Sequence, residues 1–208
     1  HGQEEAEVMD IDENLYREGM VAAKLYGYLS VPFNKQLLQG KKARSQPSGA
    51  ASQQSIAWDI IDNMHDAILY LVGPGSTISC IMKVLQLPYT LIGIDAVYQK
   101  QLIGKDLNEM AILKLLQQFK PQNTKLILTP ISGQGILLGR GNQQISPNVL
   151  RLLGKENFII IACTNKLVEL HGKPFCLDTG YPEIDIALRG YYPVVTGYKE
   201  EVVYKVDA

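Results

Sequence analysis

The period of apolar and polar positions changes several times along this chain, and each change predicts an element. EVMDIDENLY (7–16) and AAKLYGYLSVPF (22–33) mix Tyr, Leu and Val with charged residues around a turn near Glu18–Gly19, with Pro32 closing the second stretch. They read as a β-hairpin. GKKARSQPSGAASQQ (40–54) has no apolar period and is rich in Gly, Ser and Gln, which predicts a flexible surface loop carrying the basic residues Lys41, Lys42 and Arg44. From Ser55 the pattern becomes helical through Ile56, Ile60, Ile61 and Met64, a helix that extends to His65 and feeds the apolar strand AILYLV (67–72).

After that strand comes Gly73-Pro74-Gly75-Ser76-Thr77. A helical period then resumes at Ile78, Ile81, Met82 and Leu85, ahead of a further apolar run, YTLIGIDAV (89–97). Strand, loop, helix and strand in this order predict a parallel crossover unit. The segment DLNEMAILKLLQQF (106–119) predicts a helix with Leu107, Met110, Leu113 and Leu116 on one side, stopped by Pro121 before the strand KLILTP (125–130). Beyond a glycine-rich segment follow a helix from Pro147 to Leu153, the strand FIIIACT (158–164), a short element at KLVEL (166–170) and the strand PFCLDTG (174–180). The chain closes with EIDIALRG (183–190) and a strand-like end, VVTGYKEEVVYKV (194–206). Strand and helix alternate, so the fold class is α/β, with an N-terminal hairpin and C-terminal strands added to parallel β-loop-α-β units. Two regions are expected: 1–54, the hairpin and basic loop, and 55–208, an α/β nucleotide-binding region.

Composition limits the partners. Lys and Arg number 20 against 21 Asp and Glu, a formal charge of -1, so no global field gathers nucleic acid or an anionic membrane and any binding is local. No apolar run approaches the roughly 20 residues that span a bilayer, and no signal peptide opens the chain; a cytoplasmic location is expected. The chain starts His1-Gly2-Gln3 without an initiator Met, the form of a fragment. Cys80, Cys163 and Cys176 are odd in number and lack zinc spacing, which predicts reduced, mostly buried thiols. His65 and His171 have no metal-pair spacing.

Two segments carry candidate chemistry. At LVGPGSTISCIM, a strand end, a glycine turn and a helix start bring backbone N–H groups together at Gly73, Gly75, Ser76 and Thr77, which is either an anion site or a plain tight turn. It is neither of the standard dinucleotide or P-loop patterns. Asp95, closing the next strand, either accepts a sugar hydroxyl or caps the following segment. In the second segment Gly133, Gly135, Gly139 and Gly141 permit close backbone approach. Arg140 there offers a donor fork suited to phosphate, Gln134, Asn142, Gln143 and Gln144 add amides, and Ser146-Pro147 forms a helix start. Two weaker patterns remain. LDTG (177–180) matches an aspartic-protease loop superficially, but occurs once and is followed by Tyr181, where two such aspartates are required. Asp10, Asp12 and Glu13 form either a carboxylate cluster or a solvated strand edge.

Taken together, AEVMDIDE, LVGPGST, TLIGIDAV, GQGILLGRGNQQISP and LDTGYPEID followed by LRGYYPVVTGY resemble the NAD kinase-like family. The likeness is to its branch of ATP- or polyphosphate-dependent NAD kinases and acetoin-catabolism-associated homologues, and it runs from about Glu5 onward. The resemblance implies transfer of a phosphoryl group from ATP or polyphosphate to the 2′-hydroxyl of NAD, usually with Mg²⁺. It also implies a Gly-Gly-Asp-Gly segment in an N-terminal domain, whose aspartate activates the ribose hydroxyl. No such segment occurs in these 208 residues. The expectation is therefore the C-terminal portion of such an enzyme, inactive alone, binding a small-molecule nucleotide through 73–77 and 133–146 and partnered by that domain. The alternatives are a non-catalytic nucleotide sensor and a sugar-phosphate-binding module, and a homo-oligomer stays open.

Overall fold

The computed structural model describes residues 2–17, 20, 22–33 and 48–208. The hairpin is present: β1 (Gly2–Ile11) pairs antiparallel with β2 (Ala23–Phe33). Its first strand stops earlier than the pattern predicts, because a short helix, α1 (Glu13–Arg17), intervenes. Asp12 is the cause: its Oδ1 accepts from the backbone N–H groups of Asn14 and Leu15 at 3.0 and 3.1 Å, an N-cap that ends extended structure. Asp10, Asp12 and Glu13, read as either a carboxylate cluster or a solvated strand edge, are thus divided between a strand and a capped helix, and all three are exposed. The turn at Glu18–Gly19 and residues 40–47 of the expected loop lie outside the described residues. Residues 48–54 belong to a helix, α2 (Ser48–Asp62), so the helix begins seven residues before Ser55. Its polar first half has no buried stripe to betray it, although Ala and Gln are good helix formers. His65 lies just past its end, donating its backbone N–H to the Tyr70 hydroxyl at 3.0 Å.

The remaining elements are β3 (Leu69–Val72), α3 (Ser76–Val84), β4 (Asp95–Tyr98), β5 (Gln101–Gly104), α4 (Glu109–Phe119), β6 (Thr124–Leu128), β7 (Ile136–Leu138), α5 (Pro147–Leu153), β8 (Phe158–Ile161), α6 (Thr164–Glu169), β9 (Phe175–Leu177), α7 (Pro182–Leu188), β10 (Gly190–Gly197) and β11 (Glu200–Asp207). Nine strands form one mixed sheet in the order β5-β4-β3-β6-β8-β10-β11-β9-β7. At its centre β3, β6, β8 and β10 are mutually parallel. These strands are apolar on both faces because both are covered. Leu69, Leu71, Leu126, Leu128, Ile160 and Val194 join one core with residues of α4 and α5. The intervening Tyr70, Val72, Ile127, Ile161 and Val195 join a second core with α2 and α3.

The β3–α3–β4 unit is not the expected parallel crossover, because β4 pairs antiparallel with β3. After α3 the chain returns along the sheet to the carboxyl end of β3, where Gly75 donates its N–H to the Leu91 carbonyl at 2.9 Å. β4 therefore starts opposite Val72 and runs back. Most of the apolar run 89–97 is this return segment rather than strand. Asp95 holds it: its buried carboxylate accepts from Thr90 N–H (2.8 Å), the Thr90 hydroxyl (3.1 Å) and Asp106 N–H (2.9 Å). In α4 the buried face is Ile112 and Leu116, with Leu107, Leu113, Leu115 and Phe119 packed around it, whereas Met110 is 79% exposed. Met110 sits in the first turn, two residues after the Asn108 N-cap.

At the far end, the β10–β11 turn reverses the chain, and α2 holds that turn. Ser55 and Asp59 accept the backbone N–H groups of Tyr198 and Lys199, and Asp62 accepts the Tyr198 hydroxyl, each at 2.8 Å. The Asp62 bond holds the Tyr198 hydroxyl above its usual pKa. Because β11 is antiparallel to β10 while β9 and β7 are parallel to β11 in turn, β9 and β7 end on the rim opposite to the carboxyl ends of β3, β6 and β8.

Replacing Asp95 by Ala leaves at least two backbone N–H groups without their acceptor. Unfolding in urea is expected to show a loss of roughly 3 kcal/mol, at about 1–3 kcal/mol per orphaned group. Asp95→Asn is expected to lose less, since it keeps one acceptor oxygen. Wild-type stability in the Ala variant would remove Asp95 as the tie between the return segment and β4.

Candidate functional site

The first segment forms a compact turn on the rim where β3 and β6 end. Gly73 donates its N–H to the Ile127 carbonyl at 3.1 Å, and a Cβ here would come within 2.7 Å of that oxygen. Only glycine fits between the strands. Gly75 adopts φ 118° against the Thr129 methyl, a conformation that L-residues avoid. Ser76 then opens α3 at the surface, and Thr77 is fully buried with no partner for its hydroxyl. No side chain caps the helix, so its first N–H groups face the turn. Lys166 of α6 reaches the same rim, its Nζ donating to Thr129 Oγ1 and the Pro130 carbonyl, both at 3.0 Å. Sequence reasoning missed Lys166, which lies 37 residues from Thr129 in a short element with no motif of its own. Asp95 lies at the start of β4, and of its two readings the capping one describes the bonds it makes.

The second segment, read from sequence as one ligand loop, is cut in two by β7. Before the strand, Gly133 and Gln134 line a cavity of about 320 Å³ with Glu169, His171, Lys173 and Cys176, and Gly135 packs against Leu170. Beyond it, Gly139, Arg140 and Gln143 line a cleft of about 490 Å³ with Ser146, Asp178, Thr179 and Tyr181. Gly141 turns the chain with φ 84°. Asn142 is spent on the loop itself: its Oδ1 accepts Gly139 N–H and its amide donates to the Leu137 carbonyl, each at 2.9 Å. Ser146 caps α5 by accepting from Val149 N–H at 3.3 Å and donates to Glu109 at 2.5 Å. LDTG ends β9, and Thr179 donates to the buried Asp185 at 2.7 Å. Burial, the nearby Lys83 opposing it, pushes the Cys80 thiol up, and burial reinforced by Asp178, Asp185 and Asp207 pushes up Cys176. All three cysteines are free; Cys163 is buried and the other two are half-buried.

Buried polar groups in folded proteins normally find partners. Three buried side-chain atoms among the described residues have none: Thr77 Oγ1, Gln134 Oε1 and Gln144 Oε1. All three fall in the two segments that the sequence marks.

Residues 65–206, more than half of the chain, match the ATP-NAD kinase C-terminal domain. The chain belongs to this family. Both glycine segments and LDTG lie inside the matched span, while β1, α1, β2 and α2 precede it. No curated protein and no solved structure gives a significant match. Among the described residues of this NAD kinase C-terminal domain, no helix is long and apolar enough to cross a membrane, and no three His, Cys, Asp or Glu side chains gather as a metal-holding group.

In this domain the larger cleft depends on Gly139, whose φ is 110° and whose missing Cβ would overlap the Asp178 carbonyl. Gly139→Ala is expected to wedge the β7 and β9 ends apart and lower unfolding free energy by roughly 2 kcal/mol or more. Urea unfolding measures this; an unchanged midpoint would mean that the two turns are not in tight contact.

Proposed function

We propose that this chain is the C-terminal part of an NAD kinase-like phosphotransferase, which moves a phosphoryl group from ATP or polyphosphate to the 2′-hydroxyl of NAD to form NADP. Its part is to hold nucleotide and phosphate. Family membership supports the reaction class, and the observation that carries the binding role is the turn 73–77. It lies at the carboxyl end of parallel strands, where ligands of α/β sheets bind. Its helix entrance has no side-chain cap, and the Thr77 hydroxyl is buried without a partner. The N–H groups of α3 and the Ser76 hydroxyl would donate to phosphate oxygens, with the helix dipole favouring their charge. Lys166, held on the same rim by Thr129 and Pro130, adds positive charge. Phosphoryl transfer depends largely on such positioning and charge neutralisation. The described residues offer no group of three metal-binding side chains, and Mg²⁺ would arrive on the substrate phosphates that commonly carry it. The activating carboxylate would come from a Gly-Gly-Asp-Gly segment outside these 208 residues.

Two measurements test this reading. The chain alone, given NAD, Mg²⁺ and either ATP or polyphosphate, is expected to make no NADP; robust turnover would require a catalytic carboxylate within it. Ser76→Asp places a negative charge at the first position of α3, which favours the helix but opposes an anion. The dissociation constant for NAD in calorimetric titration should rise about tenfold or more, equivalent to about 1.4 kcal/mol, while the melting temperature holds or rises. Unchanged NAD affinity in Ser76→Asp would remove the turn from the site. If ribose 5-phosphate bound as tightly as NAD, a sugar-phosphate module would be the better description.

A further inference from the structure

The hairpin β1–β2 is a two-stranded sheet of its own, separate from the nine-stranded sheet, and it precedes the span matched to the family. A hairpin alone is at best marginally stable in water; a third strand or a packed face is needed for independent stability. None of the described side chains of β1 or β2 is buried. Met9, Leu25, Tyr26, Tyr28 and Leu29 are exposed, the last three at 60% or more. The strands are 10 and 11 residues long, and among the described residues each has one edge without a partner strand. Open edges of this length are templates for another strand.

The two edges differ in charge. β1 carries Glu5, Glu7 and Asp10, all exposed, so a second copy of β1 laid alongside would set carboxylates against carboxylates. β2 has one charged residue, Lys24, whose Nζ lies over the Tyr26 ring, 5.2 Å from its centroid. From Leu25 to Phe33 there is no charge at all. The register places Val8 opposite Gly27 and Met9 opposite Leu25, so Tyr26 is a bulge that separates Lys24 from the regular stretch Gly27–Val31.

We propose that the outer edge of β2 is a self-association surface, to which β2 of a second copy adds antiparallel, giving a four-stranded sheet. An antiparallel pair of identical strands is its own complement about a twofold axis, the symmetry of most homodimers. A pairing centred within Gly27–Val31 brings Tyr28 and Leu29 of the two copies together and keeps the two Lys24 side chains at opposite ends of the new ladder. The edges of the larger sheet offer less, since β5 and β7 have four and three residues. One strand pair buries less than the roughly 1,200–2,000 Å² of a stable interface, so the association is reversible and concentration-dependent. It involves neither glycine segment and can hold or fail independently of nucleotide binding.

Sedimentation equilibrium of the 208-residue chain tests this. A monomer–dimer equilibrium with a dissociation constant of about 1–100 μM is expected. Tyr28→Lys and Leu29→Lys put a charge into the pairing stretch and should each weaken the dimer about tenfold or more. Tyr191→Lys, at an exposed tyrosine of β10, should change it less than about twofold. Circular dichroism and melting curves check that each variant keeps its fold. On the wild-type chain, hydrogen exchange should slow with rising concentration at the amides of 25–31 more than in any other strand. A chain that stays monomeric at concentrations above about 200 μM, a dimer that both β2 variants leave intact, equal weakening by Tyr191→Lys, or protection that falls on β5 or β7 instead would overturn the proposal.

Discussion

Burial on both faces is the constraint from which the rest of this structure follows. Four parallel strands, β3, β6, β8 and β10, bury alternate residues in two separate cores, so helices must cover each side. α2 and α3 take one face, and α4 and α5 the other. Each fully buried Leu, Ile or Val is worth about 1.5–3 kcal/mol relative to exposure, and each central strand contributes at least two such side chains to the cores. The connections between them are consequently long, and they deliver their loops to the strand ends, where the backbone is free to meet ligand.

The second constraint is the reversal at Tyr198–Lys199. Without it, β9, β7 and β11 could deliver their carboxyl ends to the same rim as β3, β6, β8 and β10. Because α2 accepts the turn's N–H groups through Ser55 and Asp59, the reversal is tied to the helix that covers the second core. β11 then templates β9, and β9 templates β7, in the opposite sense. Residues 73–77 and residues 139–143 are thereby sent to different rims, although both read as nucleotide-binding segments in sequence.

Buried polar groups follow the same division. Asp95 and Asn142 are buried polar side chains that the chain itself satisfies, and each closes a loop. Thr77, Gln134 and Gln144 keep a buried oxygen that the chain leaves unpaired. The distinction separates residues that shape a site from residues left with hydrogen-bonding capacity. It is invisible in residue type, since both groups consist of ordinary polar residues in or near glycine-containing segments.

Local pattern determined much of this protein: the α/β class, the N-terminal hairpin, α5 from Pro147 to Leu153, the central strands β3, β6 and β8, the family, and the two segments that hold every unpaired buried side-chain atom described. These were legible because apolar period, caps and glycine turns are encoded within a few neighbouring residues. Tertiary structure alone decided the direction of β4, since an apolar run is equally apolar as strand or as return segment. It decided the three-residue β7, which is too short to carry a period and which splits the glycine segment into two cavities. It brought Lys166 to Thr129 and Asp178 to the cleft of Arg140. Those pairings depend on which strand lies beside which and in what sense, and hydrogen bonds between distant strands leave no trace in either partner's own sequence.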